Sequence, residues 1–328
     1  MRCLVTGATG GLGMNLTKRL IQDGHEVIAL GRNQLLGEYL TQLGARFIGL
    51  DLSEETALQA LAKNTELIFH CAALSSPWGE YKDFYQANVL GTQNVIKATP
   101  KNARLIHVSS PSIYFDFSEK HNIKEDSCLP KKPVNYYVKT KLMAEHLIDR
   151  AFVEQELQVI TLRPRAIFGP YDRALLPRLL KAERKGVLTL VGTGQNLIDV
   201  TYVENVVESL VLASQAKTQC LGKKYNITND EPQSLHAIIS LLFASLERKV
   251  QLKYIPFNLA KKIGQSLELI YSLPFVKAEP RLTAYSAGVL ALGQTLNIEA
   301  AKHELGYKPV ITIAKGMQSF AQWYLDHD

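Results

Sequence analysis

Tyr137 and Lys141 stand four residues apart in the run Asn135-Tyr-Tyr-Val-Lys-Thr-Lys-Leu-Met-Ala-Glu-His-Leu. The later part of that run has helical periodicity, so both side chains lie on one face. A phenol next to an ammonium can give and take protons in alcohol and ketone chemistry, because the cation favours a phenolate that a free phenol barely populates at neutral pH. Tyr-x-x-x-Lys by itself is common on solvated helices. Its company decides the matter. Upstream, an apolar strand ends in His107-Val-Ser-Ser-Pro-Ser, placing Ser109 and Ser110 at a strand's carboxyl end, where open α/β sheets build their sites.

Such chemistry needs a hydride carrier, and the first residues supply a cradle for one. An apolar strand runs directly into Gly7, Gly10 and Gly13, with Thr9, Gly11 and Leu12 between them, and a helix opens there. Glycines suit a sharp turn, a close backbone approach to a pyrophosphate, and tight strand–helix packing. The phosphates then meet free N–H groups at the helix N-terminus. Leu16, Leu20 and Ile21 follow at helical spacing, and His25–Leu30 reads as a second strand, which completes a β-α-β unit.

Strand-like runs recur at Arg2–Thr6, Val27–Leu30, Ala45–Leu50, Leu67–Ala72, Arg104–Ser109, Gln158–Arg163 and Lys224–Ile227, most of them separated by helical patterns. Alternation of this kind predicts an α/β fold, a Rossmann-type doubly wound parallel sheet covered on both faces. The pattern places a dinucleotide-binding domain at 1–165, re-entered at about 196–228. A smaller, discontinuous, mostly helical substrate-binding region takes 166–195 and 229–328. Within that region a basic helix is expected from about Arg173 to Lys185, whose Arg173, Arg178, Lys181 and Arg184 form either an ordinary solvated face or a contact for a substrate carboxylate. Phe257–Tyr271 reads as an amphipathic helix with Leu259, Ile263, Leu267 and Ile270 on one face. Packing of that face on the protein as a lid is favoured over contact with a membrane surface or an oily substrate.

Composition narrows the partners. The net charge of +6 comes from Lys and Arg residues scattered in ones and twos, without the basic run or aromatic platform that nucleic acid would require. A phosphorylated cofactor and an acidic substrate account for positive potential. Cys3, Cys71, Cys128 and Cys220 are far apart with no Cys-x-x-Cys, and the eight histidines lack ligand spacing, so no metal site is expected. Unpaired thiols, no signal segment and no long apolar run predict a cytoplasmic protein.

With these residues in view, the chain resembles the extended short-chain dehydrogenase/reductases over nearly its whole length. Within them it is most similar to the 3β-hydroxysteroid dehydrogenase branch, which includes sterol-4α-carboxylate 3-dehydrogenases and bacterial 2-alkyl-3-ketoalkanoate reductases. The branch-level likeness lies in Leu162-Arg-Pro-Arg-Ala-Ile-Phe-Gly-Pro-Tyr-Asp, in Gly194–Val206 and in Tyr225-Asn-Ile-Thr-Asn-Asp-Glu-Pro. The resemblance implies a catalytic trio of Ser110, Tyr137 and Lys141. It implies cofactor contacts from the glycine loop, from Asp51 and Leu52, from Cys71, Ala72 and Ala73, and from Ser109, Pro164, Ala166 and Ile167. Asn88 resembles the family's structural helix asparagine and is grouped with these, and a homodimer is implied as well.

The second strand ends Gly31-Arg32-Asn33 in place of the acidic residue of NAD-preferring relatives, and Arg32 suits a 2′-phosphate, so NADP is expected ahead of NAD. Ile198 stands where nucleotide-sugar enzymes of the family carry an arginine for the substrate diphosphate. That favours an apolar, lipid-like substrate, with Ser75, Trp78, Ser112, Phe168 and Ile198 as candidate contacts. The expected activity is hydride transfer between the nicotinamide and a secondary alcohol or ketone of a 3β-hydroxysteroid or a long-chain β-keto acid. An NDP-sugar epimerase, dehydratase or reductase is the alternative on the same fold. A non-catalytic cofactor sensor is a further one, disfavoured because both Tyr137 and Lys141 are retained.

Overall fold

The structure, a computed structural model, describes residues 1–327 apart from Pro274, Phe275 and Lys277. The seven expected strands form one parallel sheet. They are β1 (Arg2–Thr6), β2 (Glu26–Gly31), β3 (Arg46–Gly49), β4 (Leu67–His70), β5 (Arg104–Val108), β6 (Val159–Pro164) and β7 (Lys224–Ile227). Their order is β7-β6-β5-β4-β1-β2-β3. From β1 the chain builds outward to β3 and then returns to β4 on the other side of β1. A crevice therefore opens at the carboxyl ends of β1 and β4, where the winding reverses.

Near-continuous apolar strands are what a sheet covered on both faces requires. One face buries Val5, Phe69 and Ile106 against Met14, Leu16 and Leu20 of the Gly11–Gln22 helix and Val206 and Leu210 of the Val203–Gln215 helix. The other buries Leu4, Ile28 and Leu105 against Leu58, Val95 and Ile148 from three further helices, the last of them Tyr136–Gln155. A second body centres on Phe168, Leu188, Ile239 and Phe320. It contains more strand than expected. Gln233–Ser234, Leu197–Ile198, Gln294–Leu296 and Lys120–Ile123 make a four-stranded sheet, and Val187–Val191 pairs with Gln251–Ile255. Runs of two to five residues leave no periodicity to read.

Two expectations on the substrate side need correction. The basic helix is shorter, Leu176–Ala182, because the Asp172 carboxylate accepts hydrogen bonds from the N–H groups of Ala174, Leu175 and Leu176 and fixes its start there. The helix Phe257–Tyr271 has the expected bounds but packs through the face adjoining the expected stripe. It packs through Ala260 and Gly264, with Gly264 set against the backbone of Thr283 and Ala284. Leu259, Ile263 and Ile270 remain 50%, 41% and 51% exposed. Small residues let two helices approach closely, so they win the contact; Leu267 is half-buried beside it and the rest of the bulky stripe is left outside. Among the described residues no helix is long and apolar enough to cross a membrane.

Candidate active site

The crevice at β1 and β4 is a cleft of about 320 Å³. Gly7 adopts a φ of +69°, and a Cβ there would lie 2.8 Å from the backbone of Ala72. Gly13 packs so closely on Gly7 O that a side chain would collide with it. The first turn of the helix is thereby pressed against the turns after β1 and β4. Such a cradle, which one Cβ would fill, fits a dinucleotide phosphate.

Of the expected cofactor residues, Gly7, Thr9, Gly10, Arg32, Asp51, Leu52, Cys71, Ala72 and Ala73 line this cleft. Gly11 and Leu12 lie in the helix below it. Arg32 is largely exposed, with Nη1 3.8 Å from Asp51 Oδ2. Hydrogen bonds from the main chain and hydroxyl of Ser53, with Arg32 adding its charge, hold the Asp51 carboxyl below its usual range. Asn33, Gln86 and Arg173 also line the cleft, and the sequence did not point to them as part of it. Arg173 thus belongs with the cofactor cleft, and Arg178 pairs with Glu279 at 3.0 Å, which leaves neither positioned as the carboxylate contact first considered.

The catalytic candidates converge on the carboxyl end of β5. Ser110 follows that strand and caps the short 3-10 turn Pro111–Tyr114 through its Oγ, which accepts from Ser112 N at 3.3 Å. Tyr137 sits in the first turn of the Tyr136–Gln155 helix, whose start is fixed by Asn135 Oδ1 accepting from Val138 N. Its ring is half-buried and packs with Ile113, Tyr114 and Val138, against the turn that Ser110 caps. Lys141, one helical turn on, is buried and donates from Nζ to Val108 O at 2.8 Å.

Burial pulls the Lys141 ammonium down to about 8, with the negative charge of Glu145 working the other way. Since kcat/KM follows groups of the free enzyme, ketone reduction is expected to lose kcat/KM as pH rises through about 8 and Lys141 sheds its proton. A profile that stays flat from pH 7 to 9.5 would remove that charge from the mechanism. Near Lys141, the rings of His70 and His107 pack at a tilt of 34° with centroids 5.4 Å apart. Burial and the nearby ammonium drive both imidazoles far below neutral pH, so they are uncharged core residues.

Asn88 faces the protein rather than the cleft. Its amide accepts from Leu74 N at 2.7 Å and donates to Leu74 O and to Thr140 Oγ1 at 3.0 Å, clamping the turn after β4 to the helix of Tyr137. It lies in a π-helical segment, Tyr85–Leu90, a bulge of the kind found at functional sites. Ser109 is buried beside Ser110. Pro164 ends β6, Ala166 takes a φ of +43°, and Ile167 pairs with Thr201, beyond the residues that line the cleft.

The substrate candidates divide. Ser75 is exposed, Trp78 is half-buried on the turn after β4, and Ile198 is half-buried on its short strand. Ser112 lies against Tyr285, a residue the sequence did not single out. Phe168 is a correction: it is only 1% exposed and its ring packs on Tyr202 in the second core, so it offers a substrate no surface. Tyr285 comes from the helix Ala284–Ala291, meets Phe115 edge-on, and lies within electrostatic reach of both Tyr137 and Arg165.

A glycine cradle beside a serine, tyrosine and lysine at the carboxyl end of the sheet is matched by sequence comparison. Residues 3–228 match the profile of the NAD dependent epimerase/dehydratase family. The chain belongs to this family. A relative from Stenotrophomonas maltophilia, named 2-alkyl-3-oxoalkanoate reductase, is 33% identical over 97% of this chain and 98% of its own length. The mouse (Mus musculus) sterol-4-alpha-carboxylate 3-dehydrogenase, decarboxylating, is 31% identical over 98% of this chain and 90% of its own. The solved UDP-glucuronic acid 4-epimerase of Bacillus cereus, in complex with NAD, superposes with a TM-score of 0.79 at 24% identity, covering 99% of both chains. That likeness is one of fold. As a member of the epimerase/dehydratase family, the chain is an NAD(P)-dependent enzyme of alcohol and ketone chemistry.

Proposed function

We propose that the chain is an NADP-preferring oxidoreductase that interconverts a ketone and a secondary alcohol on a bulky, largely apolar substrate of the 3β-hydroxysteroid or long-chain β-keto acid type. The observation that carries this reading is the convergence of Ser110, Tyr137 and Lys141 at the end of β5, beside the glycine cleft. Ile198, half-buried and uncharged, and the names of the relatives at 31–33% identity support the apolar substrate.

The nicotinamide, when bound, supplies or accepts the hydride. Ser110 Oγ donates a hydrogen bond to the substrate carbonyl oxygen. Tyr137 Oη gives that oxygen its proton in reduction and takes it back in oxidation, so the carbonyl gains one hydride and one proton overall. Lys141 favours the phenolate that remains and binds the nicotinamide ribose.

Arg32 carries the NADP preference in this reading. Arg32→Ala is expected to raise KM for NADPH about tenfold or more, the worth of a charge-assisted hydrogen bond to phosphate, and to leave KM for NADH nearly unchanged. Equal effects on both cofactors would return Arg32 to the status of a solvated loop charge.

The deciding experiment follows NADPH and, separately, NADH oxidation against a long-chain 3-oxo acid, a 3-ketosteroid and UDP-glucose. Turnover of either lipid with NADPH is the expected result. Activity confined to the sugar nucleotide, or to NADH, would overturn the substrate or the cofactor half of the proposal respectively.

A further inference from the structure

Two arginines on the end of β6 have opposite fates. Arg163 is fully partnered: Nε and Nη2 bond the Glu145 carboxylate at 2.9 and 2.6 Å, and Nη1 reaches the Tyr114 hydroxyl and Glu125 O. Arg165 comes two residues later, one past the end of β6, where its main-chain N–H donates to Ile227 O of β7 at 3.0 Å. It is 7% exposed. Its Nε is sealed from solvent and bonded to nothing, and among the described residues no hydrogen bond or ion pair reaches its guanidinium.

A guanidinium does not shed its proton in a protein, and a buried cation without a partner is costly. The charges near Arg165 are those of Asp199 and Tyr285. Neither consumes it. Asp199 accepts from Leu296 N at 2.7 Å, and burial pushes its carboxyl up to about 6. A carboxylate in a true ion pair is held down, as Glu145 is by Arg163. Tyr285, which joins Arg165 to the neighbourhood of Tyr137, is a phenol that burial keeps neutral. A permanent positive charge is thus left unspent next to the place where a carbonyl would be handled.

We propose that Arg165 is the anion anchor of the substrate pocket, and that the substrate is an acid whose carboxylate it binds while Ser110 and Tyr137 hold the ketone or alcohol oxygen. This deepens the reading given above and rests on it, choosing the acid over the neutral steroid. A single guanidinium with Asp199 nearby suits a monoanion better than a diphosphate, since a second negative charge would meet the Asp199 carboxylate. The planar fork of arginine also matches a carboxylate bidentately.

The test compares wild type, Arg165→Gln and Arg165→Lys, using a long-chain 3-hydroxy acid and its methyl ester in the oxidising direction with NADP. Wild type should favour the acid by about tenfold to a hundredfold in kcat/KM, mainly through KM, as expected for hydrogen bonds to a charged group. In Arg165→Gln that preference should vanish, with the ester rate and the melting temperature little changed. Arg165→Lys should retain part of it, and serves as the second variant if the glutamine form does not fold. Equal use of acid and ester by wild type, or a parallel loss of both in the variants, would overturn the proposal. A binding measurement separates this inference from the reaction itself. Dodecanoate should raise the melting temperature of the wild-type NADP complex, but not that of Arg165→Gln, and methyl dodecanoate should do neither. If no substrate turns over, the proposed reaction fails while the dodecanoate shift still decides Arg165. Stabilisation by an alkyl phosphate but not by dodecanoate would reject the carboxylate.

Discussion

Replacing Tyr137 by Phe should lower kcat by two to four orders of magnitude, roughly the worth of a positioned proton donor, while cofactor affinity stays within a few-fold of wild type. The ring packs against the cluster of Ile113, Tyr114 and Val138, and phenylalanine keeps all of that contact. Only the hydroxyl is lost. Lys141 remains anchored to Val108 O through its own bond, so the helix and the cleft beside it keep their positions. Fluorescence titration of NADPH and steady-state turnover on the same preparation separate the two quantities. Near-normal turnover would remove Tyr137 from the chemistry, and a parallel collapse of NADPH binding would make its role structural.

The largest effect on stability is expected at Arg163 and Glu145, whose side chains are 4% and 2% exposed and 2.6 Å apart. Arg163→Met takes from a buried carboxylate its hydrogen-bonded counter-charge, leaving only the more distant ammoniums of Lys141 and Lys224, which costs about 3–5 kcal/mol, and Glu145→Leu strands the cation in the same way. Removing both should restore most of the loss, because a well-packed apolar pair of similar volume is often as stable as a buried ion pair. Burial alone would raise the Glu145 carboxyl, but the bonds and charge of Arg163 outweigh it and hold the group below its ordinary 4.5. The contribution is therefore fully present above pH 4.5 and fades as pH falls through the lower folded value. Urea melts of wild type and Arg163→Met should differ most near neutrality and converge in acid. A gap that does not change with pH would show that the lost stability is packing and not charge.

The layout of the sheet was legible because buried parallel strands are written as unbroken apolar runs, and all seven were placed to within a few residues. The glycine cradle and the convergence of Ser110 with Tyr137 were legible for a similar reason: each is carried by residues close together in the chain and tied to one strand end. Tyr285 and Arg165 were not. Their meaning depends on which distant segments meet, and no local pattern records that Tyr285 of Ala284–Ala291 comes within electrostatic reach of Arg165 and Tyr137. Phe168 lies in a segment next to the site, yet the strand pairing of Ile167 with Thr201 and Phe168 with Tyr202 turns its ring into the core. For Phe257–Tyr271 the periodicity gave a true amphipathic helix but not its orientation. Bulk marks a face as apolar, whereas the close contact was decided by Ala260 and Gly264.

The helix of Tyr137 is fixed to the sheet three times over: through Asn88 to the turn after β4, through Lys141 to β5, and through Glu145 to β6. The residues proposed to move protons and the cleft beside them are thus tied into one hydrogen-bonded block. In the reading proposed above, the remaining wall of the substrate pocket would come from the Ala284–Ala291 helix, on which Phe257–Tyr271 rests, and from the short strand holding Ile198; neither element belongs to that block. Mutational drift in that wall can enlarge, narrow or recharge the pocket without disturbing the reaction. A lineage built this way can diversify its metabolites while inheriting its chemistry intact.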